Sequence, residues 1–300
     1  MYKRQIILSL FLTSAIIITA TVITYKALTV PKSKKYVVET IEANSKGYIK
    51  VGIISDAQLP QEEKNLYGWD YATVMNGADH LIKALKYYKS QNVDMIVFNG
   101  DMVNATGDYA AYSAYNKILD YVYGEDRAEA PHIIYPMGNH EFYGGNQEHN
   151  FYKSTGLPLN TRTIVNGYSF ISISNSKLEK GDEELAESND TLADGTYNEK
   201  RIEFLKEQLA AANTEDPNKP IFVFIHMPIS NIVNGGHWAT PQYEEIYSIL
   251  KEYPQAVVFT GHSHYCMSDE RAIMQKDFTV INTGTVSYTH LRAHETSAHL

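Results

Sequence analysis

The stretch MIVFNGDMVN, residues 95–104, changes character in its middle. Met95 to Phe98 are all apolar, the pattern of a short strand buried on both faces. After Asn99 come Gly100 and Asp101, with Asn104 behind them. The same change recurs four times. A strand predicted over Tyr48 to Ile54 leads into Asp56-Ala57-Gln58. One over His132 to Pro136 leads into Gly138-Asn139-His140-Glu141, and one over Ile221 to Ile225 into His226 and then Met227-Pro228. The last, Ala256 to Thr260, leads into Gly261-His262-Ser263-His264. Ligands collect beyond the carboxyl ends of strands in an α/β sheet. Five polar clusters at five strand ends are therefore expected to converge on one sheet edge.

Between the strands lie stripes at helical spacing. Val74, Ala78, Leu81, Ile82, Leu85 and Tyr88 form one, Ala111, Tyr115, Ile118, Leu119 and Val122 a second, and Ile202, Leu205, Leu209 and Ala212 a third. Thr240 followed by Pro241 predicts the start of a fourth helix, a cap residue and then proline at the first helical position. Thr161 to Val165 and Tyr168 to Ser174 flank Asn166-Gly167, a two-residue hairpin signal. Glu179 to Asp194 carries seven acids with Gly, Ser and Asn and reads as a solvated loop. The residues themselves predict an α/β body with an inserted hairpin.

The polar clusters have the chemistry of a two-metal site. Carboxylates and amide oxygens are hard ligands, and imidazole suits borderline ions such as iron, manganese and zinc. Two cations a few ångströms apart need a shared anionic ligand, and a carboxylate such as Asp101 can bridge them. The glycines before Asp101, Asn139 and His262 are read as letting the backbone turn sharply off the strand.

The order D-x-Q, G-D-x-x-N, G-N-H-E, H, G-H-x-H resembles the calcineurin-like metallophosphoesterase superfamily, in a subgroup with glutamine in the first motif. The resemblance runs from about Tyr48 to Thr285, and INTGT at Ile281 to Thr285 resembles the segment following the last histidine motif. It implies a four-layer α/β/β/α sandwich. It also implies two divalent or trivalent metal ions, of manganese, iron or zinc. By resemblance Asp56, Gln58, Asp101 and His264 hold the first metal, and Asp101, Asn139, His226 and His262 the second. His140 is implied to face substrate as general acid or transition-state stabiliser. A hydroxide bridging the metals is implied to attack phosphorus in line with the leaving oxygen. Gln58 stands where most members have histidine, which should favour manganese or iron over zinc at the first site. Asn104 stands where the purple acid phosphatases use a metal-binding tyrosine, which argues against that subgroup.

Composition narrows the rest. The chain has 300 residues, a net charge of -9 and 44% hydrophobic residues. It lacks the broad basic face that nucleic acid needs, and the single cysteine, Cys266, rules out an internal disulfide framework. Cys266 is read as a small packed residue, His80 as solvated on its helix, and His132 and His149 as lacking motif context. Gly235, Gly236, His237 and Trp238 lie on a loop that could line the cleft, although His237 is read first as a surface histidine.

At the N-terminus Ile6 to Thr24 carry no charge over 19 positions, close to a membrane span. Lys3 and Arg4 precede the run, and Lys26, Lys32, Lys34 and Lys35 follow it. The run is long for a cleaved signal peptide and no small-x-small site follows, so an uncleaved anchor is expected. At the C-terminus SYTHLRAHET resembles the translation of a sequencing-adapter read-through, and a native chain continuing past Val286 is expected. His290, His294 and His299 are accordingly set aside as ligands. The expected organisation is an anchor over 1–25, a stalk over 26–46, a metallophosphoesterase domain over 47–286, truncated at its C-terminus, and an artefactual tail over 287–300. The expected function is hydrolysis of a small-molecule phosphomonoester or phosphodiester, at the cell membrane on its outer side. A nucleotide- or lipid-specific phosphodiesterase and a non-catalytic metal-binding module are the rival readings. Substrate choice is assigned to loops at Gly144 to Asn160 and Gly181 to Asp194.

Overall fold

The four apolar residues of MIVF point alternately into two different cores. Met95 and Val97 face one, and Ile96 and Phe98 the other. That division organises the computed structural model, which describes residues 35–43, 47–59, 71–104, 109–142, 147–176, 195–229, 232–233, 240 and 242–286. In chain order the elements are β1 (Tyr36–Ile41), β2 (Val51–Ile54), α1 (Tyr71–Gln91), β3 (Met95–Phe98), α2 (Tyr109–Tyr123), β4 (His132–Ile134), α3 (Gln147–Thr155), β5 (Asn160–Val165), β6 (Tyr168–Ile173), α4 (Glu199–Glu215), β7 (Ile221–Ile225), α5 (Tyr243–Leu250), β8 (Ala256–Thr260), β9 (Ile273–Gln275) and β10 (Thr279–Asn282).

Among the described residues the strands form two sheets. The smaller is parallel, in the order β2-β3-β4, with Val51 opposite Met95 and Met95 opposite His132. The larger is mixed, in the order β1-β5-β6-β7-β8-β10-β9. β6, β7, β8 and β10 run parallel, while β5 and β9 pair antiparallel with β6 and β10. The hairpin between β5 and β6 turns through Asn166 at φ +51° and Gly167 at φ +78°. Two consecutive positive φ values match the twist of the flanking strands.

The sheets face each other. Met95, Val97 and Ile134 of the small sheet pack with Val165, Phe170 and Phe224 of the large one. Phe224 stacks on Phe259 at 5.0 Å and Phe170 on Phe222 at 4.8 Å. On the outer face of the small sheet, Leu81 and Leu85 of α1, Tyr112, Tyr115 and Leu119 of α2 and Phe151 of α3 cover Ile54, Ile96 and Phe98. On the outer face of the large sheet, Ile202, Leu205 and Leu209 of α4 and Ile246 and Leu250 of α5 cover Ile171, Val223, Ile225 and Val258. The layers are α/β/β/α, as the resemblance implied.

Several expectations change. The five strands do not share one sheet edge: β2, β3 and β4 belong to one sheet, β7 and β8 to the other. Tyr36–Ile41, assigned to the stalk, is an edge strand parallel to β5. Its side chains alternate between exposed and half-buried, and Glu39 reaches His132 of the opposite sheet at 3.1 Å. Much of the loop expected at Gly144 to Asn160 is α3, held down by the fully buried Phe151. The fourth helix begins at Tyr243, because the Thr240 hydroxyl binds the Gln242 side chain and the Tyr243 amide turns back to the Thr240 carbonyl. The expected anchor, the acidic loop at Glu179 to Asp194, His237 and the tail over 287–300 lie outside the described residues. Among the described residues no helix is long and apolar enough to cross a membrane.

Candidate metal centre

Each polar cluster follows within a few residues of its strand's end, and after β2, β3 and β8 the chain turns in an uncommon way. Asp56, Gln58, Asp101, His262 and His264 have φ of +54°, +45°, +53°, +64° and +55°. A side-chain-bearing residue in this left-handed region costs about 1–2 kcal/mol. Such strain gathers at functional sites, where surrounding contacts over-determine the backbone. Here the Asp56 amide donates to the Gly100 carbonyl at 3.1 Å, Gln58 N to Asp101 O at 2.9 Å and Gly261 N to His226 O at 2.8 Å.

The glycines do a different job from the one expected of them. Gly100 does turn, at φ +86°. Gly138 and Gly261 provide room instead. A Cβ at Gly138 would lie 2.2 Å from Asp101 Oδ1, and one at Gly261 2.2 Å from Ser55 Oγ. Backbone from two strand ends is thus pressed against the carboxylates of Asp101 and Asp56, and a Cβ at Gly100 would lie 2.4 Å from His226 Nδ1.

The side chains then meet. Asp101 Oδ2 lies 3.0 Å from His226 Nε2, and donor atoms of Asp101, His226 and His262 all fall within 4.8 Å of one another. Asp56 Oδ1 lies 3.0 Å from His264 Nε2 and 3.9 Å from His226 Nε2. Gln58 Nε2 sits 3.3 Å from the Nε2 atoms of both His140 and His264. His140 Nε2 is 3.9 Å from Asp101 Oδ2, and the His140 amide donates to Asp101 Oδ1 at 2.8 Å. Asn139 is buried between Gly138 and His140. These distances join seven of the eight expected site residues, and Asn139 stands beside them through its place next to His140 in the chain.

This cluster fits a cation. Asp101 Oδ2 and His226 Nε2 are fully buried and face each other at 3.0 Å, and neither makes a well-aligned hydrogen bond. Polar atoms so placed carry a desolvation cost unless something else binds them. His226 Nδ1–H donates to the Asn99 carbonyl at 2.8 Å, which leaves Nε2 as the atom that could ligate a cation. Carboxylates, imidazoles and amide oxygens together suit a borderline divalent ion.

The electrostatics agree. Burial opposes charge on His226, but Asp101 and Asp56 overcome it and push the ring up to about 10. Burial likewise raises the Asp101 carboxyl, yet His226 and His140 hold it well below the usual carboxylate range. Burial and the charge on His226 push His262 down to about 4. The cluster therefore holds one ion pair at its centre with a neutral imidazole beside it.

Glu141 is the residue that reading the motifs left without a role. Its fully buried carboxylate accepts from the amides of Asp101 at 2.9 Å, Met102 at 2.8 Å and Gly138 at 2.7 Å, and from the Tyr135 hydroxyl at 2.7 Å. Burial and the Asp101 carboxylate raise its pKa. All four of these bonds are donated to it, so the ionised form is the one that fits. The signal in sequence was an acid three residues after Gly138 with no basic partner nearby. Asp56 is fixed similarly, by the Ser55 hydroxyl and by the His262 amide at 3.1 Å. The Thr285 hydroxyl donates to the Asp56 carbonyl at 2.7 Å, which gives INTGT its place beside the site.

The other histidines and the cysteine stand apart. His80 is half-buried and binds the Val286 carbonyl at 2.6 Å, so it is not simply solvated. His149 is exposed. Cys266 is exposed rather than packed. A cavity of about 460 Å³ between α5 and β10, lined by Ile229, Tyr243, Tyr247, Met274 and Phe278, shares no residue with the cluster.

Among known structures the chain is similar to a dimetal phosphatase from Danio rerio. The TM-score is 0.60 at 18% identity, over 80% of this chain and 88% of that one. It is also similar to a protein of Thermus thermophilus, with TM-score 0.50 and 14% identity over 80% of this chain and 91% of that one. These likenesses are of fold. No curated protein matches the chain significantly. The family described as calcineurin-like phosphoesterase matches residues 49–266. That match runs from β2 through the last histidine loop, the whole of the convergence just described, and the chain belongs to the calcineurin-like phosphoesterase family as a metal-dependent phosphoric ester hydrolase.

Proposed function

We propose that this chain hydrolyses small-molecule phosphate monoesters or diesters at a two-metal centre divided as the motifs imply. Asp56, Gln58, Asp101 and His264 hold one ion, and Asp101, Asn139, His226 and His262 hold the other. The observation that carries this reading is Asp101. Its carboxylate is fully buried, lies against His226 and His262, and presents to His226 an oxygen without a well-aligned hydrogen bond. A carboxylate in that setting suits a bridge between two cations. The amide of Gln58 favours manganese or iron over zinc in the first position.

Two bound ions supply an activated water and neutralise phosphoryl oxygens. The chain's own residues do the rest. Asp101 balances the charge of both positions. Asn99 fixes the ring of His226 through Nδ1, and Glu141 holds the loops of Asp101 and Gly138 in register. His140 is the proton donor: its Nδ1–H is held by the Asn104 carbonyl, which directs Nε2 into the cleft beside Gln58 and Asp101. The protonated ring donates from Nε2 to the departing oxygen, an effect typically worth about 100- to 10,000-fold.

The apolar run of residues 6–24 is taken to anchor the chain in the cell membrane as a single pass, with the catalytic body on the outer side. What supports this is the length of the run and its freedom from charge.

The test of the site is His140→Ala, studied beside wild type by metal analysis and by kinetics on esters of graded leaving-group ability. Both metals should remain bound. Rates should fall most for poor leaving groups and least for nitrophenyl esters. Loss of metal, or an equal loss across the series, overturns the proton-donor role. Wild-type protein that binds two metals and turns over no ester points to the non-catalytic module.

A further inference from the structure

A buried cation outside the cluster is used by none of these steps. Arg201, in the first turn of α4, is 1% exposed. Its Nη1 donates to the carbonyls of Ser174 and Asn175, and its Nη2 pairs with the Glu148 carboxylate on α3. Glu148 is held in turn by Lys35 at 2.9 Å. A guanidinium this deep is tolerated only when its donors find acceptors, and its planar fork then fixes the geometry of those acceptors.

Ser174 and Asn175 are the residues that leave β6, and the loop of the metal centre rests on them. The Met137 amide donates to the Ser174 hydroxyl at 2.8 Å, and the Asn175 amide donates to the Met137 carbonyl at 2.9 Å. Gly138, Asn139 and His140 follow Met137 directly. The path from Arg201 to the site is therefore short: guanidinium, two carbonyls, one strip of backbone, and then the loop carrying Asn139 and His140.

We propose that Arg201 is a positioning residue for that loop. Through Ser174 and Asn175 it sets where Asn139 stands in the second metal position and where His140 stands against the leaving oxygen. The first position takes no ligand from this loop and meets it only through the shared Asp101 and the contact of Gln58 with His140, so the second position should respond more strongly. The assignment rests on the two-metal reading above. A buried arginine that only stabilised the fold would weaken both positions alike or neither.

The experiment uses the full chain, wild type and Arg201→Met. Manganese is titrated calorimetrically into metal-free protein, and amide hydrogen exchange is read across Met137 to His140 before any metal is added. In Arg201→Met the manganese equivalent that fills the Asn139 position, identified as the one weakened in Asn139→Ala and called the second here, should weaken about 10- to 100-fold, the range typical for a partner behind a ligand. The first should stay near its wild-type affinity. Exchange should quicken from Met137 to His140 and stay slow in β3 and β8. Arg201→Lys, which keeps the charge but gathers its donors on a single nitrogen, should recover part of the lost affinity. A folded Arg201→Met with both equivalents unchanged, or both weakened alike, overturns the proposal. So does unchanged exchange in the loop. If Arg201→Met does not fold, Glu148→Gln loosens the guanidinium while keeping it. A smaller weakening of the second equivalent alone is then expected, and none overturns the proposal. Wild-type protein that takes up no manganese overturns the two-metal reading, and the exchange measurement still decides the role of Arg201.

Discussion

At the scale of single residues, the pair of Asp101 and His226 sets the chemistry of metal uptake. His226 is pushed up to about 10 by Asp101 and Asp56, against an ordinary value of 6.5. At pH 7 the metal-free ring holds its proton, and a cation binding at Nε2 must displace it. His262, pushed down to about 4, is already neutral and loses none. Manganese uptake at pH 7 should therefore release about one proton from this pair of rings. Apparent affinity should rise with pH until about 10, where release ends. Calorimetric titration in buffers of different protonation enthalpy counts the protons, and no release at pH 7 would contradict the assignment. The sign for stability is the reverse. In metal-free protein the raised His226 stabilises the fold fully below the ordinary value of 6.5, and that contribution is lost as pH rises through about 10.

At the scale of elements, most strands and helices were legible and their edges less so. β3, β7 and β8 keep their predicted bounds, because a short apolar run followed at once by polar ligand residues leaves no ambiguity about where the strand ends. The hairpin was legible because Asn166-Gly167 is one of few pairs that take two positive φ values cheaply. β1 and α3 were missed. YVVETI lies just after a lysine run, and its role as a strand depends on pairing with β5, with Thr163 and Glu39 bonded across 124 positions of sequence. Gly52 shows what local reading omits. It sits inside β2, and a Cβ there would meet the Tyr88 ring of α1 at 2.5 Å, while the Tyr88 hydroxyl binds the Ile53 carbonyl at 3.0 Å. Gly52→Ala should cost about 1–3 kcal/mol by overpacking this contact. Urea unfolding measures it. An unchanged midpoint would mean that α1 can lift from β2 at no cost.

At the scale of the whole molecule, metal and fold should stabilise each other, since the ligands come from the ends of strands in both sheets. A ligand that binds only the folded chain stabilises it by about 2.7 kcal/mol at one hundred times its dissociation constant. Manganese should raise the melting temperature in a concentration-dependent way, and a chelator should reverse it. Asp101→Asn should abolish most of the shift, because the shared anion is gone. A melting temperature indifferent to manganese in wild type would mean that the two sheets close without a cation between their ends.

The residue types of the metal centre, their order and the strand ends on which they sit can all be read along the chain. Those are local properties: apolar runs of fixed period, and polar clusters directly after them. The family was readable there because its chemistry is written in short motifs at short range. Three features emerge only when the chain is folded. The five strand ends belong to two facing sheets, five of the candidate ligand residues themselves take left-handed turns, and Glu141 and Arg201 bind loops they do not belong to. These depend on which distant backbone groups end up buried together and must be paired, and no periodicity along the chain encodes that choice.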